Sequence, residues 1–389
     1  MAWTKGTCTG ADAFLARIKD FATRTKFAAA AVAGSNTGDG IVFGVSATEN
    51  ASAETFTLTC TDVGSGGIAT FSVSSPATSG LADAIVNTPY GNDYVSFTLI
   101  AGATDFIVGD SFTFAVSTDT ALWIIKRDDT ASDDHELILQ GEGSSGSEEL
   151  LIGIQSKGTN VPYLKLQGFN GFDSGAAFDE QQGAILEDRF VPLITSLIEY
   201  TIWDFKDGIR FVAICGSTVY EHGYLGWPVR LASPSQWNNP MVVGGCCRDG
   251  NYANTTEPQH HAYWRCYAQS VTYNYVSGLN GETWIPTGDT NDQIYTSPSG
   301  ADGGYSNNPN KRYVMAEIYR DANGNVPLFP ATLILHDLGI VFGHFVGTYH
   351  VASEEGYVSA DDVIIQSGAA FTCYQDAHQA EFICAMTME

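Results

Sequence analysis

The densest group of potential metal ligands is Cys246, Cys247, His260, His261 and Cys266, since thiolates and imidazoles are what zinc takes. Adjacent residues on an extended chain point to opposite faces, so neither Cys246-Cys247 nor His260-His261 serves one ion as a pair. The group reads as packed thiols, disulfides or surface histidines. Asp128, Asp129, Asp133 and Asp134 crowd oxygen donors into one turn but lack the ligand order and glycine of a calcium loop, which leaves a solvated hairpin tip. Gly141 to Gly146 spells GxGxxG after an apolar run, yet Glu142, Glu148 and Glu149 crowd the place where a pyrophosphate would sit. An acidic turn between two strands is expected there. No GxSxG, P-loop or HExxH segment occurs. No metal, cofactor or catalytic residue is therefore assigned.

Recognition chemistry has better candidates. Tyr220, Tyr224, Trp227, Trp237, Tyr263, Trp264 and Tyr267 carry flat amphipathic rings suited to subunit contacts or to stacking on sugars. Prolines 228, 234 and 240 are interspersed with them, a composition that stiffens a loop. Arg17, Lys19, Arg24 and Lys26 make the start of the chain locally basic and are candidates for docking on an acidic neighbour. Cys246, Cys247, Cys266, Cys373 and Cys384 are the candidates for disulfides formed late, after release from a reducing cell.

Acidic residues number 44 against 18 Lys+Arg, a formal net charge of -26, so phosphate backbones and anionic lipid surfaces are repelled and nucleic acid is not an expected partner. No run approaches the ~20 apolar residues of a membrane span, so membrane insertion is not expected, and no export signal is indicated. With 44% hydrophobic residues and Gly 41, the chain reads as globular, with many turns between short strands.

These residues need elements to hold them. Thr9-Gly10-Ala11-Asp12 resembles a helix start, and Phe14, Leu15, Ile18, Phe21 and Ala22 follow at helical spacing. From Ile41 to Val116 the pattern changes to alternating apolar and Thr/Ser residues, as in Phe56-Thr57-Leu58-Thr59-Cys60 and Val95-Ser96-Phe97-Thr98-Leu99, the mark of half-buried strands. Gly109-Asp110 reads as a turn between a Phe106–Val108 strand and a Phe112–Phe114 strand. Further strands are expected at Leu122 to Lys126, Glu136 to Gln140, Leu150 to Gln155 and Tyr163 to Gln167, and a tight hairpin at Asp207-Gly208. Pro330 implies an edge or a bend in the Leu328 run. The expected fold is mainly β: an N-terminal arm and amphipathic helix over 1–35, an inserted small β-sandwich over 36–119, and a larger sandwich-like core over 120–389 with long loops around 248–259 and 280–310.

The strings STVYEHGYLG (217–226) and LASPSQW (231–237), with Met1-Ala2-Trp3-Thr4, Glu136-Leu137-Ile138-Leu139, Glu148-Glu149 and Leu166-Gln167-Gly168-Phe169-Asn170-Gly171, resemble a family of tail-associated virion structural proteins of tailed bacteriophages. The likeness covers the N-terminus and, more strongly, Trp123 to Gly245, with Ile41 to Val116 as an insertion. It implies a structural subunit in the tail, baseplate, fibre-attachment or neck region, assembled in the host cytoplasm and contacting copies of itself and other virion proteins. A module binding host-surface glycan and a surface-polysaccharide hydrolase are the alternatives, the latter because two suitably spaced carboxylates suffice for glycoside hydrolysis. The family supplies no catalytic residues.

Overall fold

A computed structural model describes residues 2–64, 68–129, 134–143, 150–158, 162–184, 189–216, 219–231, 241–245, 265–270, 283–285, 294–297, 326, 328–335, 340–351, 358–366, 369–376 and 379–387. The chain is mainly β and divides into two compact units. The larger comprises Met1, Lys5–Ala22 and Leu122–Thr387; the smaller comprises Ala2–Thr4, Thr23–Ala121 and Met388–Glu389.

Strand β1 (Ala2–Thr9) leads into helix α1 (Ala11–Ala22). The helix forms where its apolar spacing requires, and Phe14, Leu15, Ile18, Phe21 and Ala22 are all buried. Gly10 precedes it with φ 79, a conformation that glycine adopts without a Cβ penalty.

The small unit follows with β2 (Lys26–Ala28), β3 (Val32–Ala33), β4 (Ile41–Ala47), β5 (Thr55–Val63), β6 (Ala69–Ser74), β7 (Ala84–Ile85), β8 (Pro89–Gly91), β9 (Val95–Ile100) and β10 (Ser111–Thr118). One sheet runs β2-β10-β5-β6-β7, with β3 also on β10; the second runs β4-β9-β8. Alternation drives the packing: Phe56, Leu58 and Cys60 of β5, Phe71 and Val73 of β6, Val95, Phe97 and Leu99 of β9, and Phe112, Phe114 and Val116 of β10 join one core. Phe56 stacks on Phe114 with centroids 5.2 Å apart, and Phe106 meets Phe71 edge-on at 5.0 Å. The sandwich starts earlier than its alternating texture suggests, because β2 and β3, within the expected N-terminal arm, pair with β10. Phe106–Val108 is not a strand. Asp110 instead donates its N–H to the Ile107 carbonyl at 3.0 Å and closes a turn.

The large unit resumes with β11 (Trp123–Asp129), β12 (His135–Gly141), β13 (Leu150–Lys157), β14 (Tyr163–Phe169) and β15 (Arg189–Pro192), an antiparallel sheet in chain order. Next come β16 (Leu197–Phe205), β17 (Gly208–Cys215), β18 (Val219–Gly226), β19 (Val229–Arg230), β20 (Val242–Gly245), β21 (Arg265–Ser270) and β22 (Thr283–Ile285). The chain then forms β23 (Ile294–Ser297), β24 (Leu328–Leu335), β25 (Ile340–Val351), β26 (Val363–Gln366), β27 (Ala369–Asp376) and β28 (Gln379–Thr387). The sheet β1-β16-β17-β18-β20-β21-β22 is the middle layer of this unit. Helix α1 and the β11–β15 sheet cover one face through contacts with β16, β18 and β20, and the β23-β24-β25-β28-β27-β26 sheet meets the other at β18 and β27. Pro330 pairs with Tyr349 of β25, beyond the β24 residues that pair with β23, and the register shifts between Pro330 and Thr332, as a bend there requires.

Candidate functional site

Of the strings that suggested a resemblance, Val219 to Gly226 forms β18, in the middle of the central sheet, while Glu136 to Leu139 and Leu166 to Phe169 lie on β12 and β14 of the covering sheet. Every residue from Tyr200 to Phe205 and from Gly208 to Cys215 is buried, because each strand has a covered layer on both sides. The hairpin between β16 and β17 turns on Lys206 and Asp207, one residue earlier than Asp207-Gly208, since Phe205 already pairs with Gly208. Gly208 is needed for close approach: a Cβ there would lie 2.5 Å from the Phe205 ring and 2.7 Å from the Leu225 carbonyl. Gly226 pairs opposite it, and the Trp227 N–H then donates to the Asp207 carbonyl at 2.6 Å, folding the chain under the turn.

Alternation sorts the side chains of this sheet. Tyr200 and Phe211 face α1, where both rings meet Phe14 at 5.5 Å and 5.3 Å. On the opposite face lies a buried polar seam. Arg210, fully buried, donates from Nη1 to the Val346 carbonyl at 2.9 Å and to the Thr348 hydroxyl, and its guanidinium lies 4.6 Å from the centre of the Trp203 ring. Trp203 Nε1 donates to the Thr387 carbonyl at 3.1 Å, and Tyr374 meets Trp203 edge-on while donating its hydroxyl to Thr201 at 3.0 Å. A guanidinium removed from water needs such partners, and here they come from the facing sheet, so the contacts lock two layers together.

The aromatic candidates require correction where they are described. Tyr220, Tyr224 and Trp227 are core residues, not exposed loop platforms. Tyr220 and Tyr224 lie on β18; Tyr224 packs against Phe345 at 4.6 Å and donates its hydroxyl to the Trp227 carbonyl at 2.9 Å. Tyr220 donates to Asp361 at 3.2 Å; burial first, then the Asp361 charge and that hydrogen bond, push its phenol up to about 12. Trp237, Tyr263 and Trp264 lie outside the described residues, and Tyr267 falls on β21, whose side chains are not described.

The basic candidates are mostly engaged within the chain. Lys19 reaches Asp128 at 3.0 Å, Arg24 is buried with its guanidinium 4.8 Å from the Phe27 ring centre, and Lys26 donates to the Thr118 hydroxyl at 2.7 Å. They are not free docking groups; only Arg17 is exposed. In the acidic turn Asp128 is held below the usual carboxylate range, burial being outweighed by Lys19 and His135, while Asp134 pairs with Lys157 at 3.0 Å. Asp133 lies outside the described residues. Gly141 pairs with Leu150 across an antiparallel hairpin, the wrong connection for a dinucleotide fold.

Cys373 is fully buried, which removes it from the candidates for intersubunit disulfides. The backbone register sets it opposite Ala385, and Cys384, whose side chain is not described, opposite Tyr374. Cys246, Cys247, His260 and His261 lie outside the described residues, as do the loops 248–259 and most of 280–310; the side chain of Cys266 on β21 is not described. Two other thiols are poor nucleophiles. Burial pushes Cys215 up to about 12, with the Glu221 charge adding, and pushes Cys8 up to about 11 against the pull of Arg17.

Sequence reasoning missed Arg210, Trp203, Thr348 and Tyr374 as a group. The available signal was an arginine inside the apolar run Gly208 to Cys215, since a cation there must find partners across a layer. Among the described residues, no three potential metal ligands converge and no helix is long and apolar enough to cross a membrane. No model of a known protein family matches the chain, and no curated protein sequence matches it significantly.

Proposed function

We propose that this chain is a structural subunit of a bacteriophage virion, in the tail, baseplate, fibre-attachment or neck region, acting by repeated contacts with its own copies and with other virion proteins. One observation carries the reading: residues that carry the family likeness form β18 and, with β16 and β17, a sheet buried on both faces, so they serve a rigid frame rather than a reacting group. The Arg210 seam supports this by tying that frame to the neighbouring sheet through the Val346 carbonyl and the Thr348 hydroxyl. Stacking on glycan draws no support from Tyr220, Tyr224 or Trp227, whose rings are buried.

The test is mass spectrometry of purified particles from the producing culture, followed by cryo-electron microscopy. Peptides of this chain and ordered density in a tail, neck or baseplate ring are the expected result. Absence of the chain from particles overturns the proposal.

A further inference from the structure

The small sandwich has two ends. The chain enters and leaves at one of them, where Lys26 pairs with Thr118 and the Asp119 N–H donates to the Thr25 carbonyl at 2.9 Å. The opposite end is formed by the end of β5, the starts of β6 and β10, and β7: Thr59 pairs with Ser111, Val63 with Ala69, and Thr70 with Ile85. There the unit exposes Val63 at 39%, Ile68 at 55%, Ile85 at 46%, Ile107 at 48% and Val108 at 63%. Large aliphatic side chains gathered at one end and left in water mark an interaction surface.

The tip is rigid as well as apolar. Asp110 accepts the N–H of Ile107 at 3.0 Å, of Gly38 at 3.0 Å and of Thr37 at 2.8 Å, and the Gly109 N–H donates to the Cys60 carbonyl at 3.0 Å. A turn already fixed loses little freedom on docking. Its surroundings are acidic: Asp62 adjoins Val63, Asp83 lies two residues from Ile85 and Asp105 two from Ile107, and all three are exposed. From Phe27 to Ala121 the sequence contains nine acidic residues (Asp39, Glu49, Glu54, Asp62, Asp83, Asp93, Asp105, Asp110 and Asp119) and not one Lys, Arg or His.

We propose that this tip docks a protein partner that presents aliphatic side chains within a rim of lysine and arginine. Buried aliphatic area supplies affinity, and the acidic rim supplies attraction and selectivity. A second copy of the same tip is disfavoured by like charge, and an anionic lipid surface for the same reason. This inference does not rest on the virion reading.

The experiment uses the full chain and two labelled synthetic peptides, one alternating leucine with lysine and one alternating leucine with glutamate, followed by fluorescence anisotropy across a salt series. The lysine peptide binds and the glutamate peptide does not. The double variant Ile107→Ser/Val108→Ser weakens binding tenfold or more with its unfolding transition unchanged. The triple variant Asp62→Asn/Asp83→Asn/Asp105→Asn flattens the salt dependence. Equal binding of both peptides, or full binding by the double variant, overturns the proposal. So does binding to phosphatidylcholine vesicles, or self-association seen by sedimentation, that the double variant abolishes, since these assign the tip to lipid or to a second copy.

Discussion

The small sandwich settles the backbone donors of its loops with carboxylates, whereas the large unit, which does so at Asp173 and Asp362, also settles backbone acceptors with cations. In the first, Asp110 gathers three N–H groups, Glu49 accepts from Thr25 and Lys26, Glu54 from Ala77, and Asp39 from Thr104. In the second, Arg210 donates to Val346 across the layers, and Arg127 donates to the Ala176 carbonyl at 2.6 Å while pairing with Glu136 at 3.1 Å. Carboxylates titrate within an attainable pH range and guanidinium groups do not. Acid therefore acts directly on the loop hydrogen bonds of the small sandwich, while the Arg210 contacts of the large unit keep their charge, although both units are antiparallel β structures with apolar cores.

The comparison breaks most severely at Arg210. Arg210→Ala leaves buried acceptors and a void between two sheets, and is expected to cost about 3–5 kcal/mol, read as a large fall in the denaturant midpoint of the large unit with that of the small unit unmoved. A shift of both midpoints together would show that the units do not unfold separately. Next in size, Asp110→Asn weakens a charged acceptor of three N–H groups and should lower the stability of the small unit by about 1.5–3 kcal/mol at neutral pH, measured by the same titration.

Acid sharpens the contrast. Burial pushes the Asp110, Glu49 and Glu54 carboxyls up, but hydrogen bonds outweigh it and hold all three below the usual carboxylate range. A carboxyl whose folded pKa is depressed stabilises the fold above its unfolded pKa and loses that contribution as pH falls through the folded value. Melting curves from pH 7 downward should show the small unit weakening first below about pH 4, and Asp110→Asn should reduce that slope. An identical slope in the variant would remove Asp110 from the account. The smallest effect belongs to Lys19→Ala, which deletes a partly exposed ion pair with Asp128 and should cost about 0.2–1 kcal/mol, shrinking further in high salt.

Local pattern made much of this fold legible. The spacing of Phe14, Leu15 and Ile18 located the helix, the alternation in Phe56 to Cys60 located a half-buried strand, and the short run Glu136 to Gln140 located another, because these patterns are written into neighbouring residues. The candidate site was less legible. Tyr224 and Trp227 look the same in composition whether they line a loop or fill a core, and only the layer carrying Phe345 decides between the two. Arg210 finds Thr348 across 138 positions of sequence, a distance over which no local rule reaches. The hairpin turn slipped by one residue because Gly208 serves close packing against Phe205 and Leu225, a tertiary demand that overrides the turn preference of Asp-Gly.

The meeting of Lys26 with Thr118 has a consequence for descent as well as for packing. To the rest of the chain, everything from Lys26 to Thr118 is a connection whose two ends are paired neighbours about one strand spacing apart, roughly 5 Å. A connection of that kind closes at nearly the same entropic cost whether it holds a tight loop or a folded sandwich, since closure depends only weakly on what lies between the ends once that part folds by itself. The length and content of that connection can thus change without moving the paired positions at which the chain enters and leaves it.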